Sequence, residues 1–308
     1  MTSINTNRAA MTALQSLNMT NTKLEATQQR ISTGLRVSTA TDNAAYWSIA
    51  TTMRSDNSSL STVKDALGLG AATVDVSYTA INASIKTVTE IKDKLVAARQ
   101  PGVDRGKIQT EITERQNQLR SVANSATFSG ENWLSVDSSL PGYNPTKSIV
   151  SSFSRGATGV SIQTIEFDGD ASKLIDSSNQ SGILDTQDTT LNGGVAYSTL
   201  DLDISTLSSS AADTEDLEQI IKWVDQGLSS MINSAANLGA LKSRIDSQND
   251  FVRVLMEAVE RGVGTLVDAD MTEESTKLQA LQVQQQLGVQ SLSIANQSSQ
   301  SILSLFRN

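Results

Sequence analysis

Apolar residues recur along this chain at alternating steps of four and three. From the N-terminal side the positions Ala10, Leu14, Leu17, Asn21, Leu24, Gln28, Ile31 and Leu35 keep that spacing. Near the other end Leu278, Leu281, Gln285, Gly288, Leu292, Ala295, Ser299, Ile302 and Phe306 keep it again. A 3.5-residue period predicts helices that pack along a coiled-coil seam. No charged residue falls between Leu278 and Phe306. Chain ends normally fray in water. A seam that continues almost to the last residue points to a helix ordered by a partner.

The same spacing fills two longer stretches. After Asp42, read as an N-cap, it runs through Tyr46, Ile49, Met53, Asp56, Leu60, Val63 and Leu67 to Ile91 and Leu95, and stops before Pro101-Gly102. At about 1.5 Å per residue this predicts a rod of roughly 75 Å. A third helix is expected from Asp104 to about Ala123, with Ile108, Ile112, Leu119 and Val122 on its apolar face. A second long seam runs from Leu217 through Val224, Met231, Leu238, Ile245 and Val252 to Leu266. Its start is read at Asp213 and Asp216, an acidic version of a capping box. Gly262 and Gly264 predict a joint near its end. The last helix is expected to begin near Asp270.

The middle of the chain lacks this period. Between Ala126 and Ser210 the sequence is rich in Ser, Gly, Thr, Asn and Asp, and Pro141 and Pro145 bracket a turn. Val160-Ser161-Ile162 and Leu200-Asp201-Leu202-Asp203-Ile204 alternate apolar and polar residues, as strands do. The expected fold is mainly α. A long antiparallel, coiled-coil-like bundle forms from the N- and C-terminal segments, with a small β-rich central insertion. Three domains are expected: residues 1–41 with 268–308, residues 42–140 with 211–267, and an insertion over 141–210.

Composition narrows the function. Only 4% of the 308 residues are aromatic and 38% are hydrophobic, a balance suited to narrow Leu/Ile/Val/Ala seams rather than a globular enzyme core. A net charge of −9 argues against nucleic acid or an anionic membrane as partner. The chain has no Cys and no His. That removes disulfides, thiolate and imidazole catalysis and the commonest transition-metal ligands. Gly68-Leu69-Gly70 and Gly262-Val263-Gly264 sit inside helical seams, where close packing explains them better than a phosphate loop. Asp168/Asp170 and Asp201/Asp203 lack the loop of a calcium site and read as solvated turn acids. Asp268 and Asp270 read as helix caps. Trp47, Trp133 and Trp223 read either as packing anchors or as assembly hot spots. No apolar run is long enough to span a bilayer. The opening Met1-Thr2-Ser3-Ile4-Asn5 has no basic region leading into an apolar core, so no conventional signal peptide is expected. No catalytic residue, cofactor or metal is expected, and no enzymatic activity.

Several segments carry a family likeness. The opening Ile4-Asn5-Thr6-Asn7 with Ala10-Met11-Thr12-Ala13-Leu14 resembles the start of bacterial flagellins. The run Gln29-Arg30-Ile31-Ser32-Thr33-Gly34-Leu35-Arg36-Val37, continued by Asp42-Asn43-Ala44-Ala45, is more specific. It resembles the turn and helix start that mark the family, and Ala44-Ala45-Tyr46-Trp47 resembles its alphaproteobacterial members. Thr127-Phe128-Ser129-Gly130, Asp268-Ala269-Asp270, Ala295-Asn296-Gln297 and the terminal Ile302-Leu303-Ser304-Leu305-Phe306 resemble further landmarks. The likeness covers about residues 1–140 and 210–308.

The resemblance implies a structural subunit of the flagellar filament used in swimming. Such a subunit is exported without a cleaved signal and self-assembles outside the cell into a helical tube. Its terminal helices line the inner tube and its insertion faces solvent. The implied partners are other flagellin subunits, hook-associated and filament-cap proteins, and an export chaperone. Leu14, Leu17, Leu24, Ile31, Leu35, Leu278, Leu281, Leu292, Ala295, Ile302 and Phe306 are the expected assembly-interface residues. Two other readings compete: a hook–filament junction protein of the same family and, from a different class, a cytoplasmic coiled-coil adaptor.

Overall fold

The computed structural model describes residues 7–156, 159–190, 192 and 196–305, with side chains as far as residue 298. Five helices dominate: α1 (Arg8–Thr33), α2 (Ala44–Ala98), α3 (Arg105–Ser125), α4 (Ala211–Val267) and α5 (Met271–Leu305). Among the described residues eight strands lie between α3 and α4, all but two of them only two residues long. The chain divides into two compact units, residues 1–58 with 256–308 and residues 59–255.

In the larger unit the predicted α2 seam is obeyed. Leu60, Val63, Leu67, Val74, Ile81, Val88, Ile91 and Leu95 are all buried. Leu217, Val224, Met231, Leu238, Ile245 and Val252 answer from α4, and Ile112, Leu119 and Ala123 from α3. Burying a Leu or Ile side chain is worth about 1.5–3 kcal/mol, so this stripe is the main source of the unit's stability. Ion pairs flank it: Lys92–Asp225 and Lys94–Glu111, each 2.5 Å, Arg115–Glu90 at 2.8 Å, and Lys242–Asp75. Their side chains are 33–58% exposed, and they contribute at most about 1 kcal/mol each. Their role is to favour one register.

The insertion region folds within this same unit. A long hairpin pairs β4 (Thr146–Gly156) with β5 (Gly159–Asp168), antiparallel, with a register shift between Val150 and Ser152. The other strands are two-residue pairs: β1 (Thr127–Phe128) with β2 (Glu131–Asn132), β3 (Ser135–Val136) with β6 (Ile175–Asp176), and β7 (Asp188–Thr189) with β8 (Ala196–Tyr197). Ile149 of the hairpin is seated against α2 where Gly70 leaves room. A Cβ at Gly70 would lie 2.5 Å from Ile149 Cγ2. Within Gly68-Leu69-Gly70 the close packing is thus at Gly70; Gly68 has open space around it and Leu69 is exposed.

Four local expectations change. Leu200 to Ile204 is not a strand; Leu200, Leu202 and Ile204 are buried as the alternation implies, but their backbone pairs with α3 side chains. Gln116 Nε2 donates to the carbonyls of Thr199 (3.2 Å) and Leu202 (3.1 Å), and Arg120 donates to that of Leu200 (3.0 Å). Asn43, not Asp42, caps α2: its Oδ1 accepts from Ala45 N and Tyr46 N, both at 3.1 Å. Asp42 instead closes the preceding turn by accepting from Ser38 N and Thr39 N at 3.1 and 2.9 Å. The Ser210 side chain caps α4, accepting from Asp213 N at 3.1 Å. Finally, α4 continues as helix through Gly262 and Gly264 to Val267. Gly262 serves a close contact there, since a Cβ would sit 3.2 Å from Met53 Cε.

Candidate functional site

In the smaller unit α1 and α5 pair antiparallel. Polar rungs fix their register. Asn7 Nδ2 donates to the Ala295 carbonyl at 2.9 Å, Gln285 Nε2 donates to Asn21 Oδ1 at 2.9 Å, and Arg30 Nη1 donates to Glu274 Oε1 at 3.2 Å. Asn7 has a second task, capping α1 by accepting from Ala10 N at 3.0 Å.

The signature turn locks the other end. Gly34 adopts the left-handed conformation (φ +70°), and its N–H donates to the Arg30 carbonyl at 2.8 Å to end α1. A residue with a Cβ would be strained there. The Gly34 carbonyl then accepts from Ala269 N at 2.9 Å, and Leu35 forms an antiparallel bridge with Asp268. Arg36 N and Val37 N both donate to the Val267 carbonyl, at 2.6 and 3.2 Å. Asp270 caps α5 by accepting from Thr272 N (2.8 Å) and Glu273 N (3.2 Å). Those backbone donors, Glu273 first, hold its carboxyl below the usual range. Val37, Ala50, Val263 and Val267 form a small core beneath this turn, with Leu35, Met53, Val259 and Leu266 around it.

The expected interface residues divide by position. Leu17, Leu24 and Ile31 face α5 and are half-buried; Leu278, Leu292 and Ala295 answer from α5, and Leu281 is buried. Leu35 packs at the turn. Leu14 does not join the intramolecular seam and is 48% exposed; Gln28 is exposed too. In their place Ala13, Thr20 and Thr27 turn inward. Steps of three then four from Ala10 fit the period as well as four then three, and the structure takes the phase with the smaller side chains. Packing is close there: a Cβ on Gly288 would sit 3.0 Å from Leu17 Cδ1. Ile302 lies in α5, but its side chain falls outside the described residues, as does Phe306 altogether.

Both helices keep a second apolar row on the side away from the seam. On α5 this is Val283, Leu287 and Ile294, exposed by 55, 56 and 68%, again at steps of four and seven. On α1 it is Met11, Leu14 and Met19. Sequence reasoning missed these rows because the seam alone accounted for the period. Tyr46, Trp47 and Ile49 form another exposed apolar patch at the start of α2, where Ala50 takes the buried position. The other tryptophans are packing residues. Trp133 stacks on Phe167 (centroids 5.8 Å apart), and Trp223 meets Tyr197 edge-on at 6.3 Å.

The strongest titration shifts lie away from this pair, in the larger unit. Burial alone would raise the Asp176 carboxyl. Hydrogen bonds from Ser181 (2.7 Å), Ser138 N (3.2 Å) and Lys173 Nζ (3.2 Å) outweigh that and hold it far below the usual range. Asp185, beside it, is pushed up by burial. Its Oδ2 accepts from Asp176 N at 2.6 Å. This network braces the β3–β6 region. Among the described residues no group of three or more His, Cys, Asp or Glu is placed to hold a metal ion, and no helix is long and apolar enough to cross a membrane.

Among the described residues the arrangement offers long apolar faces and no reactive constellation. Residues 4–138 match the family model for the bacterial flagellin N-terminal helical region, and residues 221–306 match that for the C-terminal helical region. The chain is 52% identical over 322 aligned positions to flagellin C of Rhizobium meliloti (strain 1021), covering all of both chains. It is 46% identical to the flagellin of Brucella melitensis biotype 1, again over the full length of both, and 41% identical to flagellin A of Rhizobium meliloti (strain 1021). The chain therefore belongs to the bacterial flagellin family, a family of structural rather than catalytic proteins, and to its alphaproteobacterial type.

Proposed function

We propose that this protein is a structural subunit of the flagellar filament and that the α1/α5 pair is its polymerising element. One observation carries the reading. α5 has no charge beyond Leu278 as far as Phe306, and it presents two opposed apolar rows, of which α1 covers only one. An isolated pair with an open apolar row on each helix is marginal in water. A neighbouring copy seated on the open rows removes that cost. The contact joins unlike surfaces of successive copies, and such heterologous contacts generate helical polymers when they do not close into a ring. Leu14, Leu17, Leu24, Ile31, Leu35, Leu278, Leu281, Leu292, Ala295, Ile302 and Phe306 are proposed as assembly residues. Leu14 acts on the outward face and the half-buried members through the pair they hold together.

The proposal extends to the division of the subunit. Residues 1–41 with 268–308 form the inner tube, residues 42–140 with 211–267 the surrounding bundle, and residues 141–210 the solvent-facing part. Export without a cleaved signal, an export chaperone, and contacts with hook-associated and cap proteins at the filament ends belong to the same proposal. Full-length likeness to flagellins supports a filament subunit over a junction protein or a cytoplasmic adaptor.

Seeded polymerisation of purified monomer, followed by light scattering and negative-stain microscopy, tests it. Ile294→Asp is expected to leave the monomer's helix content and melting curve unchanged, because Ile294 is 68% exposed, and to abolish growth. Leu292→Asp or Leu24→Asp is expected to abolish growth by loosening the pair while the larger unit stays folded. Normal filaments from Ile294→Asp would refute the outward face as an interface.

A further inference from the structure

Met11 and Met19 lie on the outward face of α1, exposed by 63 and 54%. At about 100° per residue, both point away from the seam made by Ala13, Leu17, Thr20 and Leu24. They flank Gln15 in a shallow groove of about 610 Å³ that also includes Leu14. Met19 additionally lies at the rim of a second groove, of about 810 Å³, shared with Leu287 and Gly288 of α5. Among the described methionines Met231 is fully buried, Met53 and Met256 are half-buried, and Met271, at the start of α5, is 47% exposed. The two most exposed methionines of the described residues therefore sit on one open face of α1.

We propose that Met11 and Met19 form a peroxide-sensitive modification site that controls whether a free subunit can polymerise. The proposal rests on the reading that a second copy covers the outward face of α1. A thioether lone pair attacks one oxygen of hydrogen peroxide. The S–O bond forms as the O–O bond breaks, sulfur loses two electrons, and the peroxide is reduced to water with no net proton change. The product is a sulfoxide, which turns a flexible apolar side chain into a polar one with a strong acceptor. Two such acceptors would have to give up their water on assembly beneath a neighbouring copy. The modification is open to the free monomer and closed to a subunit already covered by its neighbours. It is reversible by methionine sulfoxide reductases.

The test uses full-length monomer and preformed filaments, each treated with hydrogen peroxide and mapped by peptide mass spectrometry, followed by seeded growth. In the monomer, Met11 and Met19 are expected to gain one oxygen before Met53, Met231 and Met256. In filaments they are expected to be protected. The critical concentration for growth of treated monomer is expected to rise by about tenfold and to fall again after treatment with reductases of both epimer specificities. The double variant Met11→Leu/Met19→Leu is compared with itself before and after peroxide, and its two growth curves are expected to coincide. Equal growth of treated and untreated wild type, with both residues fully oxidised, overturns the proposal. So does oxidation of Met11 and Met19 in filaments at the monomer rate, or an equal loss of growth in the double variant, which would place the sensitive sulfur elsewhere. Those results leave the filament reading standing. Failure of untreated wild type to grow on seeds overturns both.

Discussion

Removing the Arg30 side chain isolates the energetic role of the polar rungs in the terminal pair. Glu274 is the buried partner: its side chain is 8% exposed, whereas that of Arg30 is 34% exposed. Glu274 Oε1 receives Arg30 Nη1 at 3.2 Å and has Lys277 Nζ at 3.6 Å; Oε2 is buried with no hydrogen-bond partner. Orphaning a buried carboxylate costs about 3–5 kcal/mol. Partial exposure of Arg30 and the surviving Lys277 reduce this to about 2 kcal/mol. Local opening of the pair should therefore become roughly thirtyfold more frequent in Arg30→Ala. Hydrogen exchange of the α1 and α5 amides, read by mass spectrometry on the monomer, reports that opening without unfolding the larger unit. Because the cost arises from an uncompensated charge, Arg30→Leu/Glu274→Leu should restore protection close to wild type. Exchange in Arg30→Ala within twofold of wild type would refute the argument. So would a double variant as loose as the single one.

Two further predictions concern the larger unit. Gly70→Ala should destabilise it by about 1–2 kcal/mol despite a helix-propensity gain of about 1 kcal/mol, because the stiff β-branched Ile149 cannot move aside. Gly70→Ala/Ile149→Ala should recover part of the loss relative to Ile149→Ala alone, and additive urea midpoints would show that the clash is absent. Asp176 has a folded pKa below its unfolded value, so its stabilising contribution is complete above about pH 4 and is lost as pH falls toward the folded value. Asp185, shifted upward, acts in the opposite sense. Asp176→Asn should lower stability at neutral pH and flatten the acid limb of a plot of urea midpoint against pH. An unchanged acid slope would count against this network as the acid-sensitive element.

Much of this molecule is set by the linear pattern. From Leu60 to Leu95 and from Leu217 to Val252 the spacing of apolar residues selects one face, and that face is buried, because a helix repeats its environment every 3.5 residues along a seam. The α5 seam from Leu278 to Ala295 was legible for the same local reason, whereas the closing turn at Gly34 was legible only through the family resemblance of its run. The phase of α1 was not. Ala10, Leu17, Leu24 and Ile31 fit two seams equally, and only the surface of α5 decides between Leu14 and Ala13. Where Gly288 allows close approach, the small side chains go inside and the methionines and Leu14 are left outside.

The alternation at Leu200–Ile204 predicted which residues would be buried but not what would satisfy their backbone. Periodicity records an aversion to water, whereas hydrogen-bond partners come from elsewhere in the chain, here Gln116 and Arg120 of α3. The helix through Gly262 and Gly264 makes the same point, since packing against Met53 outweighs local propensity. The Arg30–Glu274 and Asn21–Gln285 rungs join residues more than 240 positions apart. Sequence by itself determined the elements, their apolar faces and the family. Tertiary structure alone decided which of two faces α1 turns inward, and so which residues remain open to another copy. That choice depends on the shape of the partner helix, which no local pattern contains.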